Sequence, residues 1–298
     1  MSILHVTLFG GVHVTHDNWA TEVVMTRDIQ ALLAYLLLQR HRMHSREVLA
    51  DMFWSEYSQT KARGSLNTAL WKLKKALEPE EVASGTYLKT PRSGEIGFNR
   101  ASNYWLDVEI FERETNRILN CPVHKVEKTS ILDLEKILEL YRGDLLEGVY
   151  KDWALRERER MRALYIKSLY YSSQYYAFYG AYDKAIAFSQ QILDLDPIRE
   201  EIHRQMMKLY LANGQRALAV RQYETCRSVL AKELGISPMP DTEALYMQII
   251  TSTQAIVSHE KQSDFIEAIQ HLNEASRTID LAREQIQQAV QLIAGHPE

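Results

Sequence analysis

A chain of 298 residues, 46% hydrophobic and 25% charged, has the make-up of ordinary soluble globular protein and is long enough for two or three domains. The longest apolar run, LLAYLLL at 32–38, is far too short to span a bilayer, and no basic segment followed by an apolar one opens the chain. Neither a membrane partner nor a secretory signal is therefore expected, and two unpatterned cysteines, Cys121 and Cys226, fit a reducing cytoplasm. The net charge of −4 is unevenly spread: residues 1–104 balance to +2, residues 105–298 to −6, and within 57–100 eight basic residues stand against four acidic ones.

The first 25 residues alternate in polarity around Gly10-Gly11, which predicts short strands joined by a turn. Thr26 is placed to cap a helix over 27–40 with Ile29, Leu32, Leu33, Leu36 and Leu37 on its apolar face. A second short helix opens at Ser45 and runs to about Trp54, and polar residues 55–60 read as a loop. Next comes the most informative stretch, KARGSLNTALWKLKKALE at 61–78. At 3.6 residues per turn, Ala62, Leu66, Ala69, Leu70, Leu73 and Leu77 form one stripe. Lys61, Gly64, Thr68, Trp71 and Lys75 lie opposite, flanked by Asn67, Lys72 and Lys74, with no acid before Glu78. A solvated face usually mixes both signs of charge; this one has the composition of a helix that meets a polyanion. Beyond Pro79, Tyr87–Lys89 and Glu95–Phe98 flank the turn Pro91-Arg92-Ser93-Gly94 and predict a hairpin.

Strands, three helices and a hairpin make a winged helix-turn-helix, whose third helix enters the major groove while the hairpin lies along the backbone. Thr68 and Asn67 both donate and accept, which suits base edges. Lys61, Arg63, Lys72, Lys74 and Lys75 suit phosphates, as do Lys89, Arg92 and Arg100 on the wing. Plainer readings stand beside these. Trp71 can cover the wing, Arg63 can bridge to an acid of its own domain, and the turn arginine can simply be exposed.

From about 129 onward the chain reads helical, with helices expected at 129–142, 152–179, 183–195, 199–213, 215–234 and 241–251. Gly180 with Ala185 and Gly214 with Ala219 recur at a 34-residue offset, the period of tetratricopeptide helix pairs. Tyrosines and phenylalanines crowd 165–182, where core packing between helices competes with a ligand pocket. The run Arg156–Arg160 reads as a solvated face with local ion pairs. In the tail, Phe265, Leu272, Ile279, Ile286 and Ile293 recur every seven residues, which predicts a coiled-coil-like helix. It would pair between protomers, fold back on 199–250, or cap the helical repeat.

The stretch from Phe53-Trp54 through Ala62-Arg63-Gly64-Ser65-Leu66-Asn67-Thr68-Ala69-Leu70-Trp71-Lys72-Leu73-Lys74-Lys75 resembles the winged helix of the Streptomyces antibiotic regulatory protein (SARP) family. Leu140–Leu146, Trp153 with Glu157–Met161, Asp194–Arg204 and Tyr223–Pro238 resemble the bacterial transcriptional activator domain that follows it in that family. The ordered set covers roughly residues 3–250. In this chain Lys72, Lys74 and Lys75 stand where the family often has arginine, and Asn67 stands where arginine is common. The phosphate-binding loop of the ATPase domain that some members carry is missing. The tail lies outside the resemblance.

The resemblance implies a mainly α fold with a small α+β part. Its parts are a winged helix-turn-helix DNA-binding domain at 1–104, a tetratricopeptide-like all-α activator domain at 105–251 and a heptad-patterned helical tail at 252–298. It implies a cytoplasmic, nucleoid-associated transcriptional activator that binds promoter direct repeats as a homodimer on double-stranded DNA and recruits RNA polymerase holoenzyme. In related winged helices the loop between the second and third helices, here Glu56, Tyr57 and Gln59, can touch polymerase; a plain connector is the alternative. The rival function is a protein-interaction scaffold built on the acidic helical part. Catalysis finds no support. His13/His16 and His41/His44 are closely spaced but lack partner ligands, and no hydrolase, metalloprotease or phosphate-loop motif occurs, so no enzyme, cofactor or metal is expected.

Overall fold

A computed structural model describes residues 3–17, 23–91 and 94–251. The predicted tail residues Phe265, Leu272, Ile279, Ile286 and Ile293, and Arg92 of the wing, lie outside the described residues. The fold is mainly helical with a small N-terminal sheet. The chain parts into two compact units at Ile202/His203. Among the described residues, no helix is long and apolar enough to cross a membrane.

The first unit opens with strands β1 (Leu4–Thr7) and β2 (His13–His16), antiparallel with Val6 opposite Val14. Alternation sends Leu4, Val6 and Val14 inward. Helices α1 (Arg27–Leu38), α2 (Arg46–Trp54) and α3 (Gln59–Leu77) follow. Strands β3 (Leu88–Lys89) and β4 (Gly97–Phe98) pair antiparallel, and His44, just before α2, bridges to Ile96. The expectations above place no element between 98 and 129, and the chain builds a strand, an α-helix and a single 3-10 turn (Val123–Lys125) there. Strand β5 (Tyr104–Leu106) runs parallel to β1, with Leu4 opposite Tyr104 and Val6 opposite Leu106. A parallel pair needs a long crossover, and here the crossover is the whole three-helix and hairpin module. Helix α4 (Asp107–Leu119) then buries Val108, Phe111, Thr115 and Ile118, spaced three and four apart.

Asp107 locks this junction. Its buried carboxylate accepts the backbone N–H groups of Leu8 (2.8 Å), Phe9 (3.0 Å) and Val108 (2.7 Å). Burial pushes the carboxyl up to about 6, against the pull of those N–H groups and of Arg142. A second tie runs through the loop after α5 (Lys128–Leu138): Leu146 N–H donates to Leu8 O at 2.9 Å and Gly10 N–H to Asp144 O at 3.0 Å. Helix α5 stops at Leu138, four residues short of the expected end, and Leu146 adopts a left-handed φ of 55°. That loop is held by Arg158 of α6 (Asp152–Phe178), which donates to the carbonyls of Leu145 (2.8 Å), Leu146 (2.7 Å) and Val149 (3.1 Å). The run 156–160 is thus not wholly a solvated face: Arg158 turns inward as a structural cap, while Arg160 pairs with Glu157 at 2.8 Å and with Glu112.

Helix α6 packs against α7 (Tyr182–Leu195) across the turn at Gly180, whose φ of +74° favours glycine. The tyrosine crowd is partly core. Tyr165 stacks on Tyr141 at 4.1 Å, Tyr176 stacks on Phe188, and Tyr171 donates to the Cys121 carbonyl. Tyr170, Phe178 and Tyr179 stay exposed. The α6 start also grips the winged helix. Lys151 Nζ donates to Phe53 O at 3.3 Å, and the Trp153 ring lies 5.2 Å from Tyr35.

In the second unit, α9 (Arg216–Leu234) and α10 (Pro240–Thr251) pack with Met207 of α8 (Glu200–Ala212) around Ala219, Tyr223 and Ile249. Tyr223 stacks on Tyr246 at 3.9 Å, and Arg216 caps α10 through Ile249 O at 3.0 Å. Gly214, with φ +72°, and buried Ala219 repeat Gly180 and buried Ala185 at the 34-residue step.

Candidate nucleic-acid interface

The stripe expected to face inward does so: Ala62, Leu66, Ala69, Leu70, Leu73 and Leu77 of α3 are all buried. The opposite side is therefore fixed as surface. The helix begins at Gln59, so Gln59 of the expected 55–60 loop belongs to its first turn; Ser58, with extended φ and ψ, takes the N-cap position instead. Glu56 and Tyr57 remain in the connector and are exposed, and Lys61 Nζ sits 4.2 Å over the Tyr57 ring.

Helical geometry sorts the exposed residues into a centre and two shoulders. Gly64, Thr68, Trp71 and Lys75 run down the centre. Trp71 is 62% exposed, with Lys75 Nζ 5.4 Å from its ring centroid, so it stands out from the surface instead of covering the wing. Gly64 leaves a gap in this row: a Cβ there would meet nothing within 4 Å. The Thr68 hydroxyl donates to Gly64 O at 3.0 Å, which spends its hydrogen and leaves its oxygen lone pairs to accept.

On one shoulder Lys61 and Lys72 border a shallow groove of about 500 Å³ that reaches Thr26 and Asp28 at the start of α1. On the other lie Arg63, Asn67 and Lys74. Arg63 pairs with Glu47 of α2 at 3.4 Å, both side chains more than half exposed, so the pair adds little stability. The Ser45 hydroxyl, 2.6 Å away, holds the Glu47 carboxyl below the ordinary carboxylate value. Asn67 Oδ1 accepts from Arg46 Nη1 at 2.7 Å, and Arg46 Nε donates to Gly94 O in the wing turn at 3.0 Å. Lys74 is half-buried and shares a hollow of about 450 Å³ with Met43, Leu88 and Lys89 of the wing.

The wing is anchored from below. Glu78, at the C-cap of α3, accepts N–H bonds from Gly85 (2.8 Å), Tyr87 (2.8 Å) and Leu88 (3.0 Å). These bonds tie the end of α3 to β3. Lys89 is exposed beside α3; Arg100 is exposed in the turn after β4, at the base of the hairpin and not at its tip. Sequence reasoning missed Arg46 and Glu78. Both are charged residues near helix ends, where an interior partner leaves no mark on the pattern.

The chain is similar to known regulators. Residues 106–250 match the family model of the bacterial transcriptional activator domain. The regulatory protein AfsR of Streptomyces coelicolor is 25% identical over 230 residues, which are 76% of this chain and 22% of AfsR, so the chain spans about a fifth of that relative's length. The transcriptional regulatory protein MoaR1 of Mycobacterium tuberculosis is 25% identical over 228 residues, 74% of this chain and 71% of MoaR1. The fold matches EmbR of Mycobacterium tuberculosis, solved in complex with a low-affinity phosphopeptide. The TM-score is 0.69 at 21% identity, over 85% of this chain and 66% of EmbR.

Proposed function

From the premise that this chain is a transcriptional regulator of the SARP type, carrying a bacterial transcriptional activator domain, we propose that it binds promoter DNA sequence-specifically and activates transcription. The winged helix of residues 1–104 places α3 in a major groove and the wing along the adjoining backbone. Lys61, Arg63, Lys72, Lys75 and Lys89 attract phosphates, while Asn67 and Thr68 address base edges. Two copies lie head to tail on a direct repeat. The activator domain and the connector at Glu56–Tyr57 face RNA polymerase.

One observation carries this reading. The exposed side of α3 holds lysines, hydrogen-bonding groups and a protruding Trp71, with the helix's only glycine at the head of its central row. A face meant for water has no use for that glycine, which costs about 1 kcal/mol against alanine in a helix interior. A groove floor brought against the backbone does. The test is selection from a random duplex library by the full chain, followed by footprinting of the selected site. Two half-sites in direct repeat support the proposal. Recovery of no consensus contradicts sequence reading, and a palindrome contradicts the head-to-tail arrangement.

A further inference from the structure

Arg46 stands outside the cationic face that the sequence offers, yet three parts of the winged helix converge on its guanidinium. It leaves the first residue of α2, donates Nε to Gly94 O of the wing turn at 3.0 Å and donates Nη1 to Asn67 Oδ1 of α3 at 2.7 Å. The bond to Gly94 fixes the plane of the guanidinium, and so the direction of its other N–H groups, before any DNA arrives. Arginine nitrogens only donate. The Asn67 amide therefore has one orientation, with Oδ1 toward Arg46 and Nδ2 away from it.

An unattended asparagine in a major groove pairs with adenine, accepting from N6 and donating to N7. Here a cation already occupies the oxygen end. What the pair shows outward is a patch of donors: the Nδ2 hydrogens and the guanidinium N–H groups not spent on Gly94 and Asn67. Guanine presents two acceptors, O6 and N7, on its major-groove edge, whereas adenine N6 and cytosine N4 would bring donors against donors. Building on the assignment of α3 to a major groove, we infer that Arg46 and Asn67 read guanine as one unit. Arg46 is the specificity-determining partner, because it decides which end of the amide faces the base.

The test compares duplexes selected from a random library by the full chain and by Arg46→Met, Asn67→Ala and the double variant, each first shown folded by its melting profile. Arg46→Lys retains the charge but reaches only one of the two acceptors, and serves should the methionine variant fail to fold. The wild type should select guanine at one fixed position of each half-site. Each single variant should lower that preference about tenfold. In Arg46→Met the freed amide should turn toward adenine, and the double variant should lose no more than either single one. The inference is overturned by adenine at that position in the wild type, by a guanine preference that survives both Arg46 variants, or by losses that multiply in the double variant. Those results leave the groove-reading role of α3 standing, whereas a wild type that selects no sequence overturns both.

Discussion

Replacing Gly64 by alanine separates the stability of α3 from its use. Gly64 lies in the interior of a 19-residue helix, and a Cβ built on it meets nothing within 4 Å. The substitution therefore costs no clash in the free protein and recovers the helix preference of alanine over glycine, about 0.8–1 kcal/mol. For a cooperative unit of this size that is a rise in Tm of roughly 2–4 °C. Bound DNA meets the same methyl group in the central row of the face, one turn before Thr68. Forcing a methyl into a close-packed contact costs on the order of 1–3 kcal/mol, so affinity for the selected duplex should fall about 5- to 150-fold. Thermal melting and fluorescence anisotropy on one preparation measure both. A variant that melts higher and binds DNA undiminished refutes the close approach of α3 by this face. A variant that melts lower refutes the open surroundings of residue 64.

Further outcomes follow from the same geometry. Lys75→Ala should weaken every duplex about equally, and Thr68→Ala should relax preference at a single base; with about five phosphates neutralised by each copy, log K for a single half-site should fall with log salt at a slope near −4.5, measured by titration at several salt concentrations. Asp107 holds its proton up to about 6 in the folded chain against an ordinary 3.8, so the folded state binds more protons between those values. Its contribution to stability therefore grows as pH falls from 7 to 5, by about 1 kcal/mol, and is lost again as pH rises through 6; Asp107→Asn should abolish this slope in denaturant melts. The same variant turns an amide N–H₂ toward a backbone donor and should cost about 2–4 kcal/mol. Arg158→Lys should destabilise the chain by about 1–3 kcal/mol in the same melts, because one ammonium cannot serve the Leu145, Leu146 and Val149 carbonyls together.

The helical stripe of 61–78 is legible because burial follows the 3.6-residue period, and the six residues it names are the six that α3 buries. The hairpin is legible from its turn, and the helix pairs from Gly180 and Gly214. Helix α4 has the same kind of signal in Val108, Phe111, Thr115 and Ile118, but strand β5 before it is only three residues long and takes its meaning from pairing with β1, about a hundred positions away. What no period reveals is the use of a charge. Arg158 among four other charged residues, Glu78 at a helix end and Arg46 in a first turn all look solvent-facing in the sequence, and each finds backbone or side-chain partners that only the tertiary fold supplies. The candidate face was thus readable as a surface, while the contacts that orient Asn67 and anchor the wing were not.

The most direct measurement of the central claim is the ratio of affinities for the selected duplex and a scrambled duplex of equal length and composition, taken by anisotropy at physiological salt. A sequence-reading winged helix predicts a ratio of at least about 10³. Equal affinities, both falling steeply with salt, would mean that α3 meets DNA only as a polyanion and would contradict the account.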